Sequence, residues 1–590
     1  MIDVSDKLDL GRLRKAIQRS RDAMVLFDND RTEMIRDFAG PLYTSRGPRR
    51  AARYINKLNT TACIYQTALC FNNPRAKITS FDQKLWPFAK KFEVNVNRVA
   101  ANLDLKTTLQ ECVLDAFFLL GAAKVHMADA GDKEVEPDVW MDVGKPWVRR
   151  IPFSDLILDM PGRSISSMRF YGDRYRAPFD AVRDRDDYNK AVRDKLSPSS
   201  KINQNADSNR ADQIALGNDV DDDELEPMLW LMDVYLPRER QIVTLSADND
   251  ALPPLRVQDW DGSARGPYKF LSLGYVPDNI MPSTPAQQLF LLDRLMNRLY
   301  GQFARQAKRS KTIVPVPISM VDDGEKLRDS IDGGFPVVRG DPKQMQPITF
   351  PGVDGQTHAF FLAAAEIYNT QSGNERTLGG LATGADTATQ EQMLSSGANG
   401  RIAFMKGAVY QFASEILREI GGLMWKDDVL KVDSSMEVEN TGRYLPPKSV
   451  SWKPGDREGL FDHYDFNVEP NSMAFRPPEA KLQTLKQFGA DYLQLMPAIQ
   501  AGIFDGQEFT RIYADYTNTP EILRLAKQMT QQPEAAGDPH QATKPANTSR
   551  EVVRRSANNG PQGGGMAAVI GQMMQGQRVG SGATVGGVAR

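Results

Sequence analysis

Cysteine is scarce in this chain: three in 590 residues, at Cys63, Cys70 and Cys112. Three thiols so spaced make neither a disulfide framework nor a zinc site, and their apolar, helix-like surroundings predict small buried hydrophobes. Histidine is almost as rare. His126, His358, His463 and His540 lie far apart, none with Cys, Asp or Glu at metal-ligand spacing, so each is expected to be an ordinary surface or core residue. Net charge is nearly absent: 73 basic and 75 acidic residues leave −2. That excludes the global basicity of a protein that grips nucleic acid over a broad surface, and any contact with DNA must be local or loose. Long hydrophobic runs are missing too. The longest, residues 116 to 123, is less than half of the ~20 residues that span a bilayer, and the N-terminal segment has no apolar core behind its charges. The expectation is a chain that is neither secreted nor membrane-embedded and that keeps its thiols reduced inside a host cell.

Catalytic patterns are missing as well. Gly144-Lys145 is followed by Pro146 where a phosphate loop needs Ser or Thr, and Val139 stands where that motif's first glycine belongs. There is no GxSxG element, paired CxxC or dinucleotide-binding GxGxxG. Asp221, Asp222 and Asp223 are adjacent and lack the alternating spacing of a calcium loop, which makes a solvated acidic loop the expectation there. No catalytic residue, metal ligand or cofactor is predicted.

What is present is organisation. The length suffices for roughly three to five domain-sized units. Residues 11 to 38 carry Leu13, Ile17, Met24, Phe27, Ile35 and Phe38 at helical spacing. After Asn72-Asn73-Pro74 a long helical pattern is expected from about 88 to 123, and from 140 to 170 the period shifts toward two, which predicts strands. Residues 196 to 227 hold almost no large apolar side chains and read as a solvated insert. Strands are expected again at 229 to 236, 241 to 245 and 268 to 276.

At residue 283 the character changes. Thr284, Pro285 and Gln287 supply an N-cap, a proline at the first helical position and the glutamine of a capping box. Leu289, Leu292, Met296, Leu299 and Phe303 then recur at steps of three and four, predicting a helix to about 310, or about 39 Å at 1.5 Å per residue. Residues 311 to 352 are a proline-rich insert with short β-type pieces. A second helix is expected from 355 to 370, with Phe360, Phe361, Ala364, Ile367 and Tyr368 as its apolar surface, and a glycine-rich loop at 373 to 387. Thr387 and Gln390 open the longest helical run, with a spine of Ile402, Met405, Val409, Phe412, Ile416, Ile420 and Leu423 and an expected kink at Gly397 and Gly400. Strands at 429 to 432 and 464 to 468 follow, then helices from Pro477-Pro478, near 506 to 516 and at 520 to 530. Beyond Gln531 lies a Gly, Gln, Met and Asn-rich tail.

This order resembles the portal, or head-to-tail connector, proteins of tailed bacteriophages, especially the short-tailed ones. The likeness is carried by NNPRAKIT (72 to 79), IPFSDLILD (151 to 159), GPYKFLSLGYVPDNIMPSTPAQQLFLLDRLMN (266 to 297), TGADTATQEQMLSSGANGRIAFMKGAVYQF (383 to 412) and YDFNVEPNSM (464 to 473). It spans about residues 10 to 530 and contains no catalytic motif. The resemblance implies an α+β, mainly helical subunit of a dodecameric ring with wing, stem, clip and crown around a central channel. Residues 1 to 280 and 427 to 476 would form the wing, 283 to 310 and 355 to 372 the stem helices, 311 to 352 the clip, 373 to 387 the tunnel loop, 388 to 426 the kinked wing helix and 477 to 530 the crown. Residues 531 to 590 are a flexible tail outside that pattern.

A portal would sit at one capsid vertex of the virion, assemble in the host cytoplasm and pass double-stranded DNA non-specifically. Its implied partners are the terminase large subunit, the head-tail adaptor and tail proteins, and the major capsid and scaffolding proteins. The candidate DNA-channel residues are Arg376, Thr377 and Leu378 in the loop; the candidate basic residues at the stem and clip are Arg305, Lys308, Arg309 and Lys311. Two rival readings are a nucleic-acid-processing packaging enzyme, which would need a phosphate loop or metal-binding carboxylates, and a tail or baseplate scaffold without DNA passage.

Overall fold

A computed structural model describes residues 10–40, 54–128, 132–136, 139–142, 144–198, 227–309, 355–373, 388–436, 448–469, 478–500 and 505–517, with short pieces of 311–354 and a few single residues up to 522. Helix α1 (Leu10–Ala39) follows the predicted apolar spacing and buries Ile17, Met24 and Met34. Helix α2 (Lys57–Leu69) is capped by Asn56, whose side-chain oxygen accepts from the Asn59 amide at 3.0 Å. Strand β1 (Ala76–Ser80) comes next. The single long helix expected from 88 to 123 is instead α3 (Trp86–Asn102) and α4 (Leu105–Phe118), and the chain is already a strand by Gly121. The break falls at Asp104, whose φ of 47° lies in the left-handed region that an α-helix cannot incorporate.

Eight antiparallel strands build the two principal sheets. In one, β11 (Tyr268–Leu271), β2 (Gly121–Ala128) and β5 (Lys145–Arg150) lie side by side. In the other, β6 (Leu156–Leu158), β7 (Tyr171–Pro178), β8 (Met228–Leu236), β9 (Gln241–Ser246) and β10 (Arg256–Asp259) follow in chain order. Between β2 and β5 stands a small hairpin of β3 (Asp132–Glu136) and β4 (Val139–Asp142). The acidic run at 221 to 223 and most of the expected insert lie outside the described residues.

Helix α5 (Pro285–Arg309) starts where the capping chemistry places it. The Gln287 amide donates to Thr284 Oγ1 at 3.3 Å, and the Thr284 amide donates back to Gln287 Oε1 at 3.2 Å. Just upstream, a Cβ at Gly274 would sit 1.9 Å from the Ser283 carbonyl oxygen, so only glycine fits against the chain entering α5. The insert after α5 contains an antiparallel pair, β12 (Lys311–Ile313) and β13 (Ile348–Phe350), and a helix at Val321–Asp329 that periodicity did not predict. Helix α6 (Gly355–Gln371) follows, capped by Asp354.

Helix α7 (Ala388–Lys426) runs through Gly397 and Gly400 and buries its predicted spine from Ile402 to Ile420, with Met424 fully buried in place of Leu423. The strand expected at 429 to 432 begins only at Val432: β14 (Val432–Met436) pairs with β15 (Lys448–Trp452). Strand β16 (Tyr464–Val468) returns to β1, pairing Ala76 with Val468. Helices α8 (Pro478–Gln500) and α9 (Gly506–Thr517) pack on each other through Phe488, Tyr492 and Ala514.

The fold is thus mixed α+β and mainly helical, about 56% helix and 18% strand among the described residues. Its largest core gathers α2 to α7 with β1, β2, β14, β15 and β16. Phe92 stacks on Trp452 at 4.9 Å, and Trp425, Tyr464 and Phe466 close around them. Burying each such side chain stabilises by roughly 1.5 to 3 kcal/mol. Residues Met1–Thr530 cluster as one unit and Gln531–Arg590 as another; none of the described residues belongs to the second.

One cysteine departs from expectation. Cys70 and Cys112 are buried, and burial pushes the Cys70 thiol up to about 12, but Cys63 is exposed. It lies on α2 away from the face formed by Leu58, Thr61, Ala62, Tyr65 and Leu69.

Candidate functional site

Helices α5 and α6 form an antiparallel hairpin. Phe303, near the end of α5, meets Phe361 of α6 edge-on with ring centroids 5.4 Å apart, and His358, in the first turn of α6, lies 6.1 Å from the same ring. At its other end the hairpin is braced by α2. The Thr61 and Tyr368 hydroxyls are 3.0 Å apart, Tyr65 donates to the Ser372 carbonyl at 2.9 Å, and the Lys57 ammonium lies 5.0 Å from the centre of the Tyr368 ring. On the α5 side, the Ile55 amide donates to Asn297 Oδ1 at 2.8 Å, and Arg294 bridges to Glu33 and Asp37 of α1 at 2.6 and 2.5 Å.

The hairpin's apolar surface is larger than its own chain covers. Of the five residues predicted as the apolar face of α6, Ala364 and Tyr368 are buried, whereas Phe360 and Ile367 are 53% and 50% exposed. Phe360 and Ile367 are two turns apart on one flank of the buried stripe, and Leu362, 54% exposed, lies on the opposite flank. On α5, Leu291 is 72% exposed and points away from the buried row of Leu289, Asp293 and Met296. Periodicity finds apolar positions but cannot say which of them the monomer covers.

Arg305, Lys308 and Arg309 are exposed on one side of the last turns of α5, at the i, i+3, i+4 spacing that aligns side chains, and none of them has an ion-pair partner among the described residues. They also lie where the helix terminus carries partial negative charge. Lys311 is in β12, paired with Phe350. Arg376, Thr377 and Leu378 lie outside the described residues, as does all of 374 to 387.

Sequence reading missed a buried ionic cluster that locks the two principal sheets together. Lys124 Nζ of β2 lies 2.9 Å from Asp173 Oδ1 of β7 and 2.7 Å from Asp233 Oδ2 of β8. Arg149 pairs with Asp173 as well, Tyr268 donates to Asp173 Oδ1 at 2.6 Å, and Thr244 donates to Asp233 Oδ1 at 2.7 Å. Burial opposes the charge on Asp233, but Lys124 and the Thr244 hydroxyl outweigh it and hold that carboxyl below its usual range. Burial likewise opposes the charge on Lys124, and the two aspartates outweigh it and raise its pKa. Lys124 and both aspartates are spent on one another in the buried part of the cluster, while Arg149 reaches toward solvent. The cluster's signal in the sequence was Asp233 interrupting the apolar run of β8.

A second buried pair, Lys269 Nζ to Glu419 Oε2 at 3.1 Å, ties β11 to α7. His126, half-buried beside Lys124 and Arg149, is pushed down to about 4 by burial and then by those two cations, so it is neutral at physiological pH. Among the described residues no three His, Cys, Asp or Glu side chains converge as a metal site would require, and no helix is long and apolar enough to cross a membrane. Compared with known proteins, the chain matches no family model and no curated protein.

Proposed function

We propose that this chain is a structural subunit of a closed ring, the portal at one capsid vertex of a tailed bacteriophage, through which double-stranded DNA is packaged and later ejected. The observation that carries this reading is the α5–α6 hairpin, which bears exposed apolar side chains on both flanks of its buried stripe: Phe360 and Ile367 on one, Leu362 on the other. A subunit in a cyclic ring meets two neighbours through two different surfaces, and a two-flanked apolar helix suits that arrangement. In this reading α5 and α6 are the stem, the β12–β13 insert the clip, α7 and the two sheets the wing, and α8 and α9 the crown. Arg376, Thr377 and Leu378 touch the DNA in passing. The ring docks the terminase large subunit during filling and the adaptor and tail proteins afterwards.

Charge supports a conduit over a clamp. A protein that neutralises six to ten phosphates loses about 10³ to 10⁵ in affinity between 50 and 200 mM salt, a measure of how firmly such contacts hold DNA. A ring with that grip from every subunit would hold the duplex still. At −2 overall, with Arg298, Arg305, Lys308 and Arg309 as the exposed cations of α5, this chain suits sliding. The protein is not proposed to hydrolyse ATP or cut DNA.

Electron microscopy of the purified protein tests the reading directly. Closed rings with a central hole are expected. A stable monomer at micromolar concentration, or ATPase or nuclease turnover with magnesium, would overturn it.

A further inference from the structure

Seven acidic side chains are buried among the described residues, and six of them have a cation. Asp115 is paired with Arg150, Asp159 with Arg169, Asp173 and Asp233 with Lys124, Glu419 with Lys269, and Asp323 with Lys326. The seventh, Asp293 of α5, has no ion pair and is 1% exposed. Its neighbour Arg294 turns away to Glu33 and Asp37. Asn297 Nδ2 donates to Asp293 Oδ2 at 2.9 Å, while Oδ1 is buried without a full hydrogen bond. An uncompensated carboxylate in such a place costs several kcal/mol, so the group is poised to take up a proton instead.

We infer that the junction of α1, α2 and α5 is a proton-controlled latch: with Asp293 neutral the start of α2 seats firmly on α5, and with Asp293 ionised the seat loosens. The charged and titratable groups facing Asp293 divide as follows. From α1 come Asp37 and, through Arg294, Glu33; from the segment entering α2 comes the Tyr54 phenol; from α2 come the Lys57 ammonium and the amides of Lys57 and Leu58; and α5 itself supplies Arg294. Burial and then Asp37 push the Asp293 carboxyl up, the α2 amides and Lys57 pull it down, and the balance stands at about 7.

The geometry gives the proton something to control. Asn297 links Asp293 to the chain entering α2, through the Ile55 amide at 2.8 Å. From there α2 reaches α6 through Thr61 and Tyr65. Loosening at Asp293 therefore changes how the hairpin is held by α1 and α2. The inference concerns this junction alone and stands whatever the chain assembles into.

The sign follows from linkage. The folded state keeps the proton to about pH 7, whereas an unfolded aspartate releases it near 4, so this group's contribution to stability falls as pH rises between those values and is fully lost above the upper one. Hydrogen exchange of the full-length protein, followed by mass spectrometry and corrected for intrinsic rates, tests it. Residues 54 to 60 should open about tenfold more readily at pH 8 than at pH 6, the limit for one group titrating at the centre of that window. In Asp293→Asn that pH dependence should vanish. A flat wild-type profile, or an unchanged pH dependence in Asp293→Asn, overturns the latch. If Asp293→Asn does not fold, Asp37→Asn decides: it leaves the titrating group in place, removes a charge that raises it, and should move the transition to lower pH, while an unmoved transition overturns the proposal.

Discussion

The hydroxyls of Thr61 and Tyr368, 3.0 Å apart and fully buried, join α2 to the end of the α5–α6 hairpin where α6 finishes. Thr61 Oγ1 donates to the Lys57 carbonyl, also at 3.0 Å, so the proton between the two hydroxyls comes from Tyr368. Tyr368→Phe leaves Thr61 satisfied and should cost only about 1 kcal/mol. Tyr368→Ala empties a core site and should cost about 3 to 5 kcal/mol. Urea unfolding midpoints separate the two cases; equal losses would mean that the hydroxyl, not the ring, holds the brace.

The ionic cluster makes a prediction with a sign. In the wild type the Asp233 carboxyl is held below its usual range, so its contribution is present above about pH 4 and lost as pH falls through the lower, folded value. Lys124→Met leaves Asp233 buried without a cation, a defect of about 3 to 5 kcal/mol at neutral pH. The variant's carboxyl should then be pushed up by burial, so that between pH 7 and 4 it gains more stability on acidification than the wild type does. Denaturant midpoints measured across that range give the comparison.

Lys269 and Glu419 allow a cleaner cycle. Either single change, Lys269→Met or Glu419→Leu, strands a buried charge and should cost about 3 to 5 kcal/mol. The double variant removes both charges and should recover most of that loss, because the pair's attraction mainly offsets its own desolvation. Simple additivity in thermal unfolding would show that β11 and α7 are held together by something else.

The flanks of α6 are expected to separate folding from assembly. Phe360→Ser and Ile367→Ser on one side, or Leu362→Ser on the other, remove exposed apolar surface and should change monomer stability by no more than about 0.5 kcal/mol. Either set should block ring closure, leaving monomers or short open arcs in mass photometry. Rings that form unimpaired from both sets would place the subunit interface elsewhere.

Much of this was legible in the sequence wherever local chemistry decides. The start of α5 is written in Thr284, Pro285 and Gln287, that of α8 in Pro477-Pro478, and β16 in the alternation of Tyr464, Phe466 and Val468. What distance decides was not legible. The break before α4 turns on the left-handed backbone of Asp104, which no apolar period reports. Strand β1 was missed because its partner, β16, comes nearly 400 residues later in the chain. Asp293 reads as one polar position on an amphipathic helix, and only α1 and α2, folded over it, make it the buried acid without a cation. Arg305, Lys308 and Arg309 were found because three cations at helical spacing need no partner to be seen.

The Arg75 amide donates to Ser472 Oγ across 397 residues of chain, beside the β1–β16 ladder. At about 5 to 20 residues per second, a ribosome needs about 20 to 80 s to make the stretch between them. The hairpin of α5 and α6 is complete before that, with its apolar flanks exposed while β1 still waits for its partner strand β16. A nascent chain therefore passes through a period in which that apolar surface is exposed before its own core has closed. In the proposed ring, the order of synthesis, as much as the final surface, would decide whether neighbouring chains on one message join correctly or tangle.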